Sequence, residues 1–573
     1  MNCAEQMIKL LQGEGVKFIF GVPGAPLMPI FHAMSKPECR IKPIIAKHEA
    51  GGAFMADGYA RVSGKLGVCC GTAGPGTTNL VTGVAVSFKD SIPLLVLTAQ
   101  VPLNVFGKGA TQESSAEDRS FSSAELLRPI TKYSAMILTA EHLTFFTRKA
   151  VRNAMRHRMG PTHLNLPPDI MRRPCVSDNT LLEVFEDDAR YFDRAKVKTA
   201  AQAILAAKRP VIFAGFGVIL SGASQKLLEL AELLCIPVAS TPKGKGCFPE
   251  SHSLALGVMG LAGSDAAEER ILSPASSDLL IAIGMSFDEW STNSWDSRIK
   301  GTKKLIHLDI DPQQIGKNYS ANIALVGDAN TVLSELLYEI RRQAEQTGYI
   351  PLRTEQESNS LYGKLLNKEE TAQALSENVP IKPQRLIHEL RQTLPDETIF
   401  FIDAGNHTLW ALHYLQINQP GTFVIAAGFG PMGYSIPAAI GGKLAAPDRP
   451  VVALCGDGCF LMHGMEVATA VKYNIPVIWV VFNDGRLNMV YQAEELQKKK
   501  GLENYDFPRL DIAACARSLG ATGIRVTQVD EIRQTLEKVM KSNKPTVIDV
   551  IIDPDEVSPL KKRIESIQKN MKA

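Results

Sequence analysis

The sequence predicts an α/β protein made of three doubly wound parallel-sheet domains. Short apolar runs of strand length alternate with amphipathic stretches along the chain, the pattern of parallel sheets covered by helices. Two polar stretches, Cys175 to Lys196 and Gln343 to Ile381, interrupt that pattern and leave three pieces of ordinary domain size. The last piece contains a complete strand–helix–strand unit with an acidic turn at the end of each strand. The expected domains are 1–175, 190–342 and 380–555.

Composition narrows the function classes. In 573 residues, 62 Lys and Arg stand against 60 Asp and Glu, and the net charge of +2 makes no electrostatic case for nucleic acid or an anionic membrane. Apolar residues at 45% and charged residues at 21% describe a globular chain rather than a disordered one. The ten cysteines form no C-x-x-C pair and no zinc spacing, so reduced core thiols in a cytoplasmic protein are expected. Met1 to Gln6 has no basic flank leading into an apolar stretch, so no signal peptide is expected. Apolar runs such as Val477–Phe482 fall far short of the roughly 20 residues of a membrane span.

The first piece carries Gly21-Val-Pro23-Gly24, Lys47-His48-Glu49-Ala50, Met55-Ala-Asp-Gly-Tyr-Ala-Arg61 and Gly74-Pro-Gly-Thr-Thr-Asn79. Alone, Glu49 reads as a surface residue complementing a helix dipole, and Asn79 as a helix N-cap. The following Gly51-Gly52-Ala53 suits a closely packed, buried interface better. The central piece opens with Pro210-Val-Ile-Phe-Ala-Gly-Phe-Gly217, a strand and a Gly-x-Gly turn. Leu220 stands where a dinucleotide fingerprint needs its third glycine, so the signal is weak. Farther on, Lys304 to Pro312 reads as a strand with an acidic end, which either catches a ribose hydroxyl or opens a turn.

The third piece is the most specific. Val451 to Cys455 is a buried strand ending in Gly456-Asp457-Gly458. A helix is expected from about Phe460 to Lys472, with Met462, Met465, Val467 and Ala470 as its apolar positions. Pro476 to Phe482 is the next strand, ending in Asn483-Asp484-Gly485. A right-handed crossover brings both acidic turns to one rim, although 27 residues separate Asp457 from Asp484. Two carboxylates beside a glycine-lined phosphate site suit Mg²⁺, which takes few protein ligands.

This pair resembles the diphosphate-binding motif of thiamine diphosphate enzymes, in which G-D-G precedes a metal-binding Asn by about this interval. Gly405-Asn406-His407 is similar to that family's second diphosphate-contacting turn. Gly428-Phe-Gly430-Pro-Met432-Gly433 is similar to its pyrimidine-supporting loop, and the first-piece motifs resemble its pyrimidine-binding domain. The resemblance implies a thiamine diphosphate-binding fold: pyrimidine domain first, a central domain open to a nucleotide or FAD, and a diphosphate and Mg²⁺ domain last. It puts Glu49 in the place of the activating glutamate; a carboxyl buried against an apolar ring can share a proton with a ring nitrogen. It implies cofactor contacts from Pro23, Gly24, Glu49, Asn79, Gly405, Asn406, His407, Gly430, Met432, Gly456, Asp457, Gly458, Asp484 and Met489. It implies a metal held by Asp457, Asp484 and the backbone carbonyl of Arg486.

Within that superfamily, Gln100-Val-Pro102, Thr111-Gln112-Glu113, Thr131-Lys-Tyr133, Lys245 to Pro249 and Asp309 to Asn318 resemble acetolactate synthases. Those enzymes decarboxylate pyruvate and join the fragment to a second 2-keto acid. Gln112 falls at their active-site glutamine, although alone a Gln in a polar loop reads as solvated. Departures accompany the likeness. Ala493 replaces a substrate-pocket Trp, Pro167-Pro168-Asp169 lacks a Lys, and Phe287-Asp-Glu-Trp290 lacks an Arg. Asn483-Asp484 with Asn488-Met489-Val490 is closer to the catabolic, flavin-free branch, and the chain is several residues longer between Gln112 and Lys132. Arg158 and the central turns resemble remnants of a flavin site, so FAD stays open. The implied activity is decarboxylation of a 2-keto acid, pyruvate favoured, with carboligation to a second carbonyl. The implied partner is a second copy, in a homodimer or tetramer with the active site between subunits; no nucleic acid or membrane partner is expected. A 2-hydroxyacyl-CoA lyase or a sulfoacetaldehyde acetyltransferase would share the same cofactor residues. A non-catalytic cofactor-binding descendant is the remaining alternative, against which intact Glu49, Asp457 and Asp484 argue.

Overall fold

The computed structural model describes residues 1–175, 191–347, 366–497, 505–560 and 564. Of the two polar stretches that divide the sequence, the first lies largely outside these residues and the second in part. The first sheet comprises β1 (Phe18–Gly21), β2 (Lys42–Ile45), β3 (Gly67–Gly71), β4 (Leu94–Ala99), β5 (Tyr133–Met136) and β6 (Pro161–Leu166). The central sheet comprises β7 (Pro210–Ala214), β8 (Val238–Ser240), β9 (Ala255–Val258), β10 (Leu279–Ile283), β11 (Lys304–Asp309) and β12 (Ile323–Val326). The last sheet comprises β13 (Ile399–Ile402), β14 (Phe423–Ile425), β15 (Val451–Gly456), β16 (Ile478–Asn483), β17 (Thr522–Val526) and β18 (Thr546–Ile551). Neighbouring strands in each sheet run parallel. Strands such as β4 are buried at every residue, which is why their sequences are continuous apolar runs.

Numbered within each sheet, the first and last have the same strand order, 2-1-3-4-6-5, and the central one has 3-2-1-4-5-6. Each order reverses where the chain crosses from the first strand's side of the sheet to the other: between β1 and β3, between β7 and β10, and between β13 and β15. In open α/β sheets ligands bind at the carboxyl ends of the strands flanking such a reversal. The expected α/β class with three parallel-sheet domains is what the chain forms.

The first and last domains pack directly on one another. The helix Glu49–Ser63 lies against the helix Ser435–Ala445, and glycines permit the approach: a Cβ on Gly58 would strike Ala438, and one on Gly441 the Met55 carbonyl. Phe54, Met55, Tyr59, Phe401, Ile440 and Trp479 share one buried cluster. All three domains meet in a buried ionic network. Arg61 donates to Asp57 (2.6 Å) and Asp90 (3.0 Å), Tyr434 donates to Asp57 (2.6 Å), and Lys243 donates to Asp90 (3.2 Å).

Two local expectations change. The helix after β15 begins at Asp457 and stops at His463. A 3₁₀ turn, Gly464–Glu466, precedes the next helix, Val467–Tyr473. Within this stretch Val467 and Ala470 are buried, but Met462 and Met465 are exposed. Apolar periodicity marks a face to be covered without saying what covers it. All ten cysteines are free, and no described helix is long and apolar enough to cross a membrane.

Candidate active site

A pocket of about 270 Å³ opens at the reversal of the last sheet. The turn after β13 supplies Gly405, Asn406 and His407, and the end of β15 supplies Gly456, Asp457 and Gly458. Asp484 and Arg486 follow β16, Met489 begins the next helix, and Gly430 and Met432 come from the loop after β14. The two acidic turns therefore meet as expected, because β15 and β16 are adjacent and in parallel register.

Asp457 is buried and accepts from the backbone N–H groups of Gly458 and Gly485 (both 2.7 Å). The Gly458 N–H is thus already engaged by a side chain rather than free for a phosphate. Burial, reinforced by the nearby Asp484 carboxylate, pushes Asp457 up to about 7. Burial also raises Asp484, against the hydrogen bonds from Asn488 Nδ2 (2.8 Å) and the Arg486 N–H (3.3 Å). A cation between the two would relieve this repulsion.

His407 is buried, and burial pushes its imidazole down to about 3, so the ring is neutral. Its Nε2 has no hydrogen-bond partner, an orphan that a pocket anion could satisfy if that nitrogen carries the proton. Gly430 has φ +69° and open space around its Cα. The Met432 Cε atom would lie 3.3 Å from a Cβ on Gly458. Asn406 lines the pocket with its side chain held in place: Nδ2 donates to Gln492 (3.1 Å), and Oδ1 accepts from Ser558 (3.1 Å).

The first-piece candidates converge elsewhere, at the carboxyl ends of β1 and β3. Glu49 is 8% exposed, too buried for a surface dipole residue. His48 caps its helix, with Nδ1 accepting from the Ala50 N–H (3.1 Å). Asn79 is no cap: it lies inside the helix Pro75–Asp90 and donates Nδ2 to Glu49 Oε2 (2.9 Å). A Cβ on Gly24 would strike Thr72, and one on Gly76 would lie 3.3 Å from Glu49 Oε1. Pro23 is exposed beside Gly24. Gln112 is exposed at φ +66°, 3.0 Å from where a Cβ on Gly74 would sit. None of these residues lines the last-sheet pocket, so one chain presents two separate groups.

A second cavity, of about 290 Å³, opens at the central reversal beside Arg158, Phe216, Lys243 and Asp309. Gly215 and Gly217 serve chain packing there, since a Cβ on either would collide with Gly284. Arg158 pairs with Asp311 (2.9 Å), and burial pushes Asp309 up to about 6.

Sequence reasoning missed two buried carboxylates. Asp403, at the end of β13, accepts from Gly433 and Ser435. Glu466 accepts from the N–H groups of Lys47 (2.9 Å) and His48 (3.0 Å), holding the approach to Glu49 from another domain. More than 400 residues separate the partners in the second case, so no local pattern betrays it.

Three parallel sheets in this arrangement, with an acidic pocket at the reversal of the last, define a multidomain doubly wound α/β protein with a ligand site. Comparison with known proteins makes the class specific. Residues 1–119, 197–336 and 403–550 match, respectively, the N-terminal TPP binding, central and C-terminal TPP binding domains of thiamine pyrophosphate enzymes. The probable acetolactate synthase large subunit of Methanocaldococcus jannaschii is 38% identical, covering 98% of this chain and 93% of its own. The acetolactate synthase isozyme 3 large subunit of Escherichia coli K12 is 31% identical, over 97% and 96%. The chain belongs to the thiamine pyrophosphate enzyme family, and it resembles acetolactate synthase large subunits along nearly its whole length.

Proposed function

We infer that this protein decarboxylates a 2-keto acid, pyruvate first, and joins the resulting fragment to a second carbonyl compound. The reading rests on the convergence of Asp457 and Asp484 in one pocket, in a chain similar from end to end to acetolactate synthases. Thiamine diphosphate, when bound, supplies the electron sink for loss of CO₂. The residues fit its polar end. Asp457, Asp484 and the Arg486 carbonyl would hold Mg²⁺ with few protein ligands. His407 and the Gly405 turn would face the diphosphate, and Gly430 leaves room for backbone approach. Met432 and Met489 would line the apolar side.

Glu49 is the group assigned to exchange a proton with the aminopyrimidine ring, and Asn79 holds one of its carboxylate oxygens in place. Gln112 is assigned to hydrogen-bond the reacting oxygen. Since Glu49 and the pocket stand apart in one chain, the working site is assigned to two copies, as a homodimer or tetramer. Exposed apolar residues on elements framing the pocket, Phe429, Leu461, Met462, Met465 and Val490, support burial against a second copy. Ten free thiols suit a cytoplasmic enzyme.

The central cavity fits a flavin in part. Asp309 and Arg158 suit a ribose and a phosphate, but Phe216 occupies the turn where a diphosphate usually meets glycine. Visible absorbance of the purified protein decides between flavin and its absence. The central reading is tested by assay with pyruvate, thiamine diphosphate and Mg²⁺. Glu49→Gln should cut turnover about 100-fold or more while the protein stays folded; full activity in that variant would remove the proposal.

A further inference from the structure

Asp403 does not itself line the last-sheet pocket, yet two of that pocket's walls hang on it. The residue is 2% exposed. Its Oδ1 accepts from the N–H groups of Ala404 (2.9 Å) and Gly433 (2.7 Å), while Oδ2 accepts from the N–H and the hydroxyl of Ser435 (both 2.8 Å). Its backbone carbonyl accepts from the Thr408 hydroxyl. Ala404 opens the turn that leads to Gly405 and His407; Gly433 follows Met432, and Ser435 begins the helix that packs on the Glu49 helix.

No Lys or Arg pairs with Asp403 among the described residues; burial raises its carboxyl, and the four aimed donors, with the Cys459 thiol, act against that rise. Both oxygens act as acceptors. An asparagine would turn its NH₂ toward donors whichever way the amide is flipped, so only a carboxylate satisfies the set.

We propose that Asp403 is a positioning residue for cofactor binding. It fastens the Gly405–His407 turn to the Met432–Ser435 segment, and so fixes the distance between the wall assigned to the diphosphate and the wall assigned to the rings. The inference rests on the thiamine diphosphate reading above. A carboxylate with these partners sets geometry without touching the ligand, so its loss should appear first as weakened binding.

The test is calorimetric titration of the full-length protein with thiamine diphosphate at saturating Mg²⁺, with no substrate present. Asp403→Asn should weaken binding about tenfold to a hundredfold, and Ser435→Ala, which removes one donor, about threefold. Leu536→Ala is the control for general destabilisation. It lies in the core helix Val529–Ser542, away from the pocket, and should lower the melting temperature while leaving affinity within about twofold. Asp403→Asn binding as tightly as the unaltered protein would overturn the proposal, and so would an equal loss in Leu536→Ala. If Asp403→Asn does not fold, Ser435→Ala decides by the same measure: weaker binding supports the assignment and unchanged binding overturns it. Failure of the unaltered protein to bind would instead remove the cofactor reading, a separate outcome.

Discussion

Asp457 and Asp484 illustrate a conflict between stability and function at the scale of single residues. Two buried carboxylates repel one another, and the cost is tolerable if a cation occupies the space between them. Asp484→Asn should therefore stabilise the metal-free protein, by about 1 kcal/mol, and weaken Mg²⁺ binding. Melting in a chelator and a Mg²⁺ titration measure the two halves. His163 gives a pH prediction away from the site. It is fully buried between the Thr98 and Ser134 hydroxyls (2.7 and 2.9 Å), and burial pushes it from 6.5 down to about 3. The folded state keeps the ring neutral while the unfolded chain takes up a proton below 6.5, so stability falls as pH drops from about 6.5 toward 3. This group alone should remove about 2 kcal/mol between pH 7 and pH 5. Urea denaturation at the two pH values should show a smaller difference in His163→Asn.

Elements show what was legible in the sequence. The strands ending at Gly456 and Asn483 could be read because an apolar run, a turn and an acidic residue are contiguous. The break at Gly464–Glu466 could not, since the apolar spacing continues across it. Its cause is tertiary: Glu466 turns inward to hold the Lys47 and His48 N–H groups and the Thr469 hydroxyl (2.7 Å). For Asn79 the residue type alone points to a cap, whereas the residue stands one turn inside its helix and reaches Glu49. Glu466→Ala would take away the shared acceptor of the Lys47 and His48 N–H groups and should cost about 1 kcal/mol. Hydrogen exchange should quicken at Gly51 to Ala53, in the first turns of the Glu49 helix, and unchanged rates there would refute the link between the two elements.

At the scale of the molecule, three sheets depend on one knot of charge. Arg61 lies between Asp57 and Asp90, with Lys243 bringing in the central domain and Tyr434 the last. Removing the guanidinium leaves buried carboxylates poorly paired, which typically costs about 3–5 kcal/mol. Arg61→Met should lower the melting temperature and split a single unfolding transition into separate domain transitions, visible by scanning calorimetry. The three-domain plan was plain from the alternation of patterns. The knot was not, since its members come from pieces that look complete in themselves.

The first and last sheets share one strand order, and each carries half of the assigned chemistry at its own reversal point. The consequence is genetic as much as structural: two dead proteins should make a live one. A Glu49→Ala chain and an Asp457→Ala chain, each inactive alone, should complement each other when refolded or expressed together. Random pairing gives half mixed dimers, each with one intact site of two, or about a quarter of full activity.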